Sequence, residues 1–139
     1  MLVLDTDHFS ELERNAPPGQ RLTARLRASP RERALTVITV EEQMRGWLAE
    51  INRQADYRRQ ITPYAKLHRQ VESLGKWTTL PWDNESATMI YEFRARQIRI
   101  GTMDLKIACI VLAHDATLLT RNTSDFAQVP GLRFENWLD

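Results

Sequence analysis

Four short runs of the chain, 1–5, 34–38, 77–80 and 116–120, are almost wholly apolar or β-branched, and helically patterned segments separate them. A strand with one face in water alternates apolar and polar residues. A strand covered on both faces reads instead as one continuous apolar run. Met1-Leu-Val-Leu-Asp5 and Ala34-Leu-Thr-Val-Ile38 are of the second kind, and so is Ala116-Thr-Leu-Leu-Thr120. Trp77-Thr-Thr-Leu80 before Pro81 reads as a third strand, and Leu132-Arg-Phe134 as a last edge strand. Strands of this type alternating with helices predict an α/β fold: a central, mostly parallel sheet of four to five strands with helices on both faces.

The intervening segments carry helix signals. A first helix is expected around Phe9–Leu12. Pro17-Pro18-Gly19 punctuates the chain, and a short basic amphipathic helix around Leu22 and Leu26 ends at Ser29-Pro30. Thr39 with Glu42 has the spacing of a capping box, and Met44, Trp47, Leu48 and Ile51 continue a helix from it. Tyr64, Leu67, Val71 and Leu74 form a second helical seam that stops at Gly75, with Pro63 starting or kinking it. These two segments predict a helical hairpin inserted between strands. Asp83 or Asn84 caps a helix through Met89, Ile90 and Phe93, and Gly101-Thr-Met-Asp104 opens another containing Ile107, Ala108, Val111 and Leu112. Residues 121–126 form a polar loop or short helix.

A chain of 139 residues with 42% hydrophobic content fits one domain over residues 1–139. No apolar run is long enough to cross a membrane, and the start of the chain does not read as a signal peptide. The single Cys109 cannot form an internal disulfide and fits a reducing, cytoplasmic setting. Nineteen cations against 18 acids exclude a uniformly basic protein. They do not exclude a locally basic one: 16 of the cations are Arg, whose planar fork matches phosphate.

In a parallel sheet, ligands bind beyond the carboxyl ends of the strands, and acids fall at those ends. Asp5 closes the first strand, Glu42 follows the second, Asp104 lies in the first turn of a helix opening on the same edge, and Asp125 follows the fourth strand. The helix dipole alone accounts for first-turn acids such as Glu42 and Asp104. A carboxylate closing a buried strand, like Asp5, needs a partner. Four crowded carboxylates raise one another's pKa unless a cation is bound. Oxygen-only donors suit Mg2+ or Mn2+, which serve phosphoryl chemistry by activating water.

The segments Leu4-Asp5-Thr6-Asp7, Thr39-Val-Glu-Glu42-Gln-Met-Arg-Gly46, Ile100-Gly-Thr-Met-Asp104-Leu-Lys-Ile-Ala108 and Leu119-Thr-Arg-Asn122-Thr-Ser-Asp125-Phe126 stand in an order that resembles the PIN-domain nucleases. Within that family they are similar to the VapC-type toxins of toxin–antitoxin systems. Val129-Pro-Gly-Leu132 and Glu135-Asn-Trp137 extend the likeness over nearly the whole chain. The resemblance implies a three-layer α/β/α fold and a Mg2+- or Mn2+-dependent endoribonuclease acting on single-stranded or loop RNA. It also implies control by a cognate antitoxin and homodimerisation. Carried over by motif, Asp5, Glu42, Asp104 and Asp125 are the catalytic and metal-holding acids. Some members place the fourth acid at the position of Asn122, which here is a site-lining amide. Asp7 stands where the family often has Asn, and serves as an additional carboxylate or a helix cap. Thr120, Thr6 and Thr102 are expected to orient the carboxylates.

An acidic site repels RNA, so cations must supply the approach. Arg121 and Lys106 flank the acids, Arg96 and Arg99 lie in an acid-free stretch with Arg94, and residues 21–33 hold five Arg against Glu32. A solvated helix face explains the last group equally well. His8, His68 and His114 read as structural or surface residues; Trp47, Trp77, Trp82 and Trp137 are able to stack bases, but core or dimer packing is the better reading of each. Two rival functions share parts of this pattern. A haloacid-dehalogenase-like phosphatase would use Asp5 and Asp7 as nucleophile and acid, but its later Thr or Ser and its acidic pair have no counterpart here. A catalytically silent PIN-like module binding RNA or protein would not need all four acids.

Overall fold

The computed structural model describes residues 1–139. Its elements are β1 (Leu2–Leu4), α1 (Thr6–Arg14), α2 (Pro17–Ala28), β2 (Arg33–Thr36), α3 (Val37–Asn52) and α4 (Ile61–Leu74). They continue with β3 (Thr79–Leu80), α5 (Asn84–Ala95), α6 (Thr102–Ala113), β4 (Thr117–Leu119), α7 (Thr123–Phe126) and β5 (Arg133–Glu135). The five strands form one sheet in the order β3-β2-β1-β4-β5. Every pairing is parallel, as the continuous apolar runs predict.

Pleating divides the strand residues between two cores. Val3, Ala34 and Leu118 face one side with Leu105, Ile107 and Phe93 of α5 and α6. Leu2, Leu4, Leu35 and Leu119 face the other with Phe9 of α1, Leu22 and Leu26 of α2 and Leu74 of α4. Both faces are dry, which is why no polar residue interrupts the runs. Cys109 is fully buried, and burial pushes its thiol up to about 11. No helix is long and apolar enough to cross a membrane.

Local chemistry moves some boundaries. The second strand stops at Thr36, not Ile38, because the Thr36 hydroxyl accepts the Thr39 N–H at 3.2 Å and caps α3. Thr39 is therefore buried within the first turn, and Glu42 lies a turn further on instead of completing a capping box. The β-branched residues Val37, Ile38 and Val40 are helical here: propensity is a weak preference, and burying Ile38 outweighs it. The third strand begins at Thr79, while Trp77 packs edge-on against Phe9, ring centroids 5.9 Å apart.

Pro17-Pro18-Gly19 opens α2, where prolines cost no hydrogen bond. A Cβ on Gly19 would lie 2.1 Å from the Glu11 carbonyl oxygen. Only glycine permits this approach of α2 to α1. Along the expected seam of α4, Leu74 is buried, but Tyr64 and Val71 remain exposed with Leu48 of α3 and Ile61. The α3–α4 hairpin thus keeps apolar surface in water.

Candidate active site

The order β3-β2-β1-β4-β5 means that connections leave β1 for one half of the sheet and return to β4 in the other. The crevice beyond the carboxyl ends of β1 and β4 is the topological switch point, where sheets of this kind place ligands. Asp5 and Thr120 are the residues immediately after these two strands.

Asp5 caps α1, its Oδ1 accepting the Thr6 N–H at 2.8 Å. Its Oδ2 accepts the Thr120 hydroxyl at 2.7 Å. Burial, then the nearby Asp7 charge, push the Asp5 carboxyl up to about 7, although the Thr120 and Thr6 bonds favour ionisation. Thr120 is itself an acceptor, taking the Asn122 N–H at 3.0 Å. The Asn122 side-chain amide then donates to Asp104 Oδ2 at 3.1 Å and to Asp125 Oδ2 at 3.0 Å. Asn122 thus joins the first turn of α6 to the start of α7.

The Asp104 carboxyl is raised by burial and by the charge of Asp125. Burial also raises Glu42, with the Thr6 hydroxyl opposing it and the Asp104 charge adding to it. Glu42 Oε1 is buried without a hydrogen-bond partner. A carboxylate oxygen so placed leaves part of the group's desolvation cost uncompensated.

Asp7 differs from the other acids. Its Oδ2 accepts the Arg121 N–H at 3.0 Å and its Oδ1 meets His8 Nδ1 at 2.6 Å. His8 is fully buried, and its Nε2 accepts the Trp137 backbone N–H at 3.1 Å. Nδ1 therefore carries the ring proton and donates it to Asp7. With both oxygens engaged, Asp7 is poorly placed to act as the acid of a phosphoaspartate mechanism. The sequence pattern offered no sign of this role for His8, because its partner Trp137 lies 129 positions away.

Thr102 bonds no carboxylate. Its hydroxyl accepts from Arg94, which also donates to the Ile98 and Ile100 carbonyls at 2.9 and 3.0 Å. Arg94 therefore clamps the loop that sets the start of α6, which leaves Arg96 and Arg99 as the members of its group without a hydrogen-bonded or ion-paired side chain. Arg121 pairs with Glu11 and Asp139 at 3.5 and 3.3 Å. Lys106 Nζ lies 5.7 Å from the Trp82 ring centroid.

No three His, Cys, Asp or Glu side chains converge closely enough to enclose a metal ion as they stand. The chemistry of the donors nevertheless fits one. The acids offer only hard oxygen atoms, one buried Glu42 oxygen lacks a partner, and three carboxyls hold protons unusually well. Each of these costs falls when a divalent cation binds.

The family model described as PIN domain matches residues 2–132. Ribonuclease VapC1 of Haemophilus influenzae strain R2866 is 27% identical over 143 residues, covering 97% of this chain and 96% of its own. Ribonuclease VapC2 of Rickettsia felis is 41% identical over 46 residues, 33% of this chain and 34% of its own. Among solved structures, DNA-bound VapBC from Salmonella typhimurium has a TM-score of 0.75 at 20% identity, covering 98% of this chain and 97% of that one. FitAcB from Neisseria gonorrhoeae has a TM-score of 0.70 at 24% identity, covering 99% and 98%. The structural likenesses concern the fold.

Proposed function

The chain belongs to the PIN-domain family, and from that premise we propose that it is a Mg2+- or Mn2+-dependent endoribonuclease, the toxin of a toxin–antitoxin pair. The names of its relatives, ribonucleases of the VapC type, support the activity. The observation that carries the site is the unpartnered Glu42 oxygen on a rim where Asp5 and Asp104 resist ionisation.

Asp5, Glu42 and Asp104 would hold the cation, with Asp125 as the fourth acid. When bound, the ion supplies an activated water and Lewis-acid stabilisation of the phosphoryl group. The rest falls to the chain itself. Thr120 and the Thr6 N–H fix the direction of the Asp5 carboxylate. Asn122 keeps Asp104 and Asp125 at one edge. Arg121, Lys106, Arg96 and Arg99 are the cations proposed to meet RNA phosphates. Arg121 is held at the rim by its backbone bond to Asp7, and Lys106 sits two residues beyond Asp104.

A protein partner would cover the apolar side chains that α3 and α4 leave in water, among them Leu48, Ile61, Tyr64 and Val71. Complexes named VapBC among the structural neighbours support an antitoxin in that role. A homodimer and a cytoplasmic location complete the proposal; the buried, unpaired Cys109 agrees with a reducing compartment.

The test is cleavage of mixed RNA by wild type and Asp104→Asn, each in chelator and in Mg2+ or Mn2+. Cleavage by the wild type only, and only with cation, supports the proposal. Equal cleavage by Asp104→Asn overturns the site, and cleavage in chelator overturns the metal requirement.

A further inference from the structure

Two adjoining clefts lie beside the acid rim, the first beginning at Glu42 and the second continuing from it. The first, of about 270 Å3, is lined by Glu42, Gln43, Gly46, Trp47 and Glu50. The second, of about 500 Å3, lies between α1 and the α3–α4 hairpin and shares Gln43 and Trp47 with the first. Together they make one path from Glu42 to Lys66 and Arg69 of α4.

The sign of the charge changes along that path. Of the acids beyond Glu42, Glu50 pairs with Arg53 at 2.9 Å, while Glu13 accepts the Ser73 hydroxyl at 2.7 Å and keeps its charge. Arg14 is likewise paired, with Glu11 at 2.8 Å. Lys66 and Arg69 are exposed and make no ion pair. Two unpaired cations, Lys66 and Arg69, against the one unpaired acid Glu13 leave the far end net positive.

Trp47 is the one apolar side chain in either lining. Its indole N–H donates to Gln70 Oε1, and Gln70 is buried, so the ring is held in one orientation. Lys66 Nζ lies 5.9 Å from its centroid. A fixed aromatic ring beside free cations binds a nucleotide strand by stacking and phosphate contact.

We propose that the path from Glu42 past Trp47 to Lys66 and Arg69 seats the single-stranded RNA flanking the scissile phosphate, with Trp47 stacking a base and the two cations meeting its backbone. This rests on the ribonuclease reading of the acid rim, and it adds a second binding region on α3 and α4. Lys66 and Arg69 then act on affinity for long RNA, not on the bond-breaking step.

Binding and turnover test it separately. An unstructured fluorescent oligouridine of about 16 nucleotides is titrated against Asp104→Asn and against the same chain carrying Lys66→Glu and Arg69→Glu. Binding should weaken at least tenfold, and the slope of log K against log salt should fall by about 1.4, two cations at roughly 0.7 each. Trp47→Ala in the same background should weaken binding roughly fivefold or more. In the otherwise wild-type enzyme, Lys66→Glu with Arg69→Glu should raise KM for long RNA, with the loss in KM and not in kcat. Unchanged binding and unchanged KM would overturn the proposal while leaving the ribonuclease reading intact. RNA binding that depends on these residues in a chain that cuts nothing would overturn the ribonuclease reading alone. Loss of binding to an isolated antitoxin, with RNA affinity unaltered, would assign the cleft to a protein and contradict the proposal.

Discussion

Thr120 donates its hydroxyl to Asp5 Oδ2 at 2.7 Å, joining the ends of β4 and β1 across 115 positions of sequence. Thr120 is fully buried and Asp5 nearly so. The bond holds one carboxylate at the switch point of the sheet and partly offsets the cost of its charge.

That cost sets a pH dependence. Asp5 has its carboxyl pushed from 3.8 up to about 7 in the folded chain, so between these values the native state holds a proton that the unfolded state has released. Stability must then fall as pH rises through the window. At roughly 1.4 kcal/mol per unit the loss reaches up to about 4 kcal/mol above the folded pKa. Glu42 and Asp104 shift in the same direction. In chelator, urea denaturation should show Asp5→Asn overtaking wild type between pH 5 and pH 8. Curves that stay parallel would show that Asp5 ionises without strain.

Asn122 is the neutral link between Asp104 and Asp125. Asn122→Asp removes two donated bonds and adds a charge to the rim. Without cation at pH 8 it should be less stable than wild type by about 1–3 kcal/mol. Saturating Mn2+ should return most of that, so its melting temperature rises further than that of wild type; binding at 100 times Kd contributes about 2.7 kcal/mol. Equal Mn2+ shifts in the two proteins would place the ion away from Asn122.

Arg94 supports the start of α6 through three hydrogen bonds. Arg94→Ala should cost about 2 kcal/mol, allowing for its exposure. Amide exchange should speed up over residues 97–104 and stay unchanged in β1 and β4. Uniform acceleration throughout the chain would mean that Arg94 contributes to global stability and not to this loop.

Much of the fold was legible because both faces of the sheet are dry: runs such as Leu2-Val-Leu4 and Thr117-Leu-Leu119 are continuous only in that setting. The parallel order puts strand-end acids on one edge, which is why the sequence alone groups Asp5, Glu42, Asp104 and Asp125. Local signals failed where two were available. Thr36 and Thr39 are both competent caps, and the choice depends on burying Ile38. Distant pairings were invisible for a different reason. Nothing near His8 points to Trp137, and nothing near Trp47 points to Gln70. Arg94 looked like part of a basic face because its partners are backbone carbonyls, which leave no trace in composition.

The central claim is that the carboxylate rim, once it holds a divalent cation, cuts RNA. Its most direct test is a Mn2+ titration of cleavage on a mixed RNA pool by wild type beside Asp5→Asn, with circular dichroism recorded on both. The account predicts cleavage that rises to saturation with Mn2+ in wild type and is absent in a fully folded Asp5→Asn. Saturable cleavage by folded Asp5→Asn at the wild-type rate would contradict it.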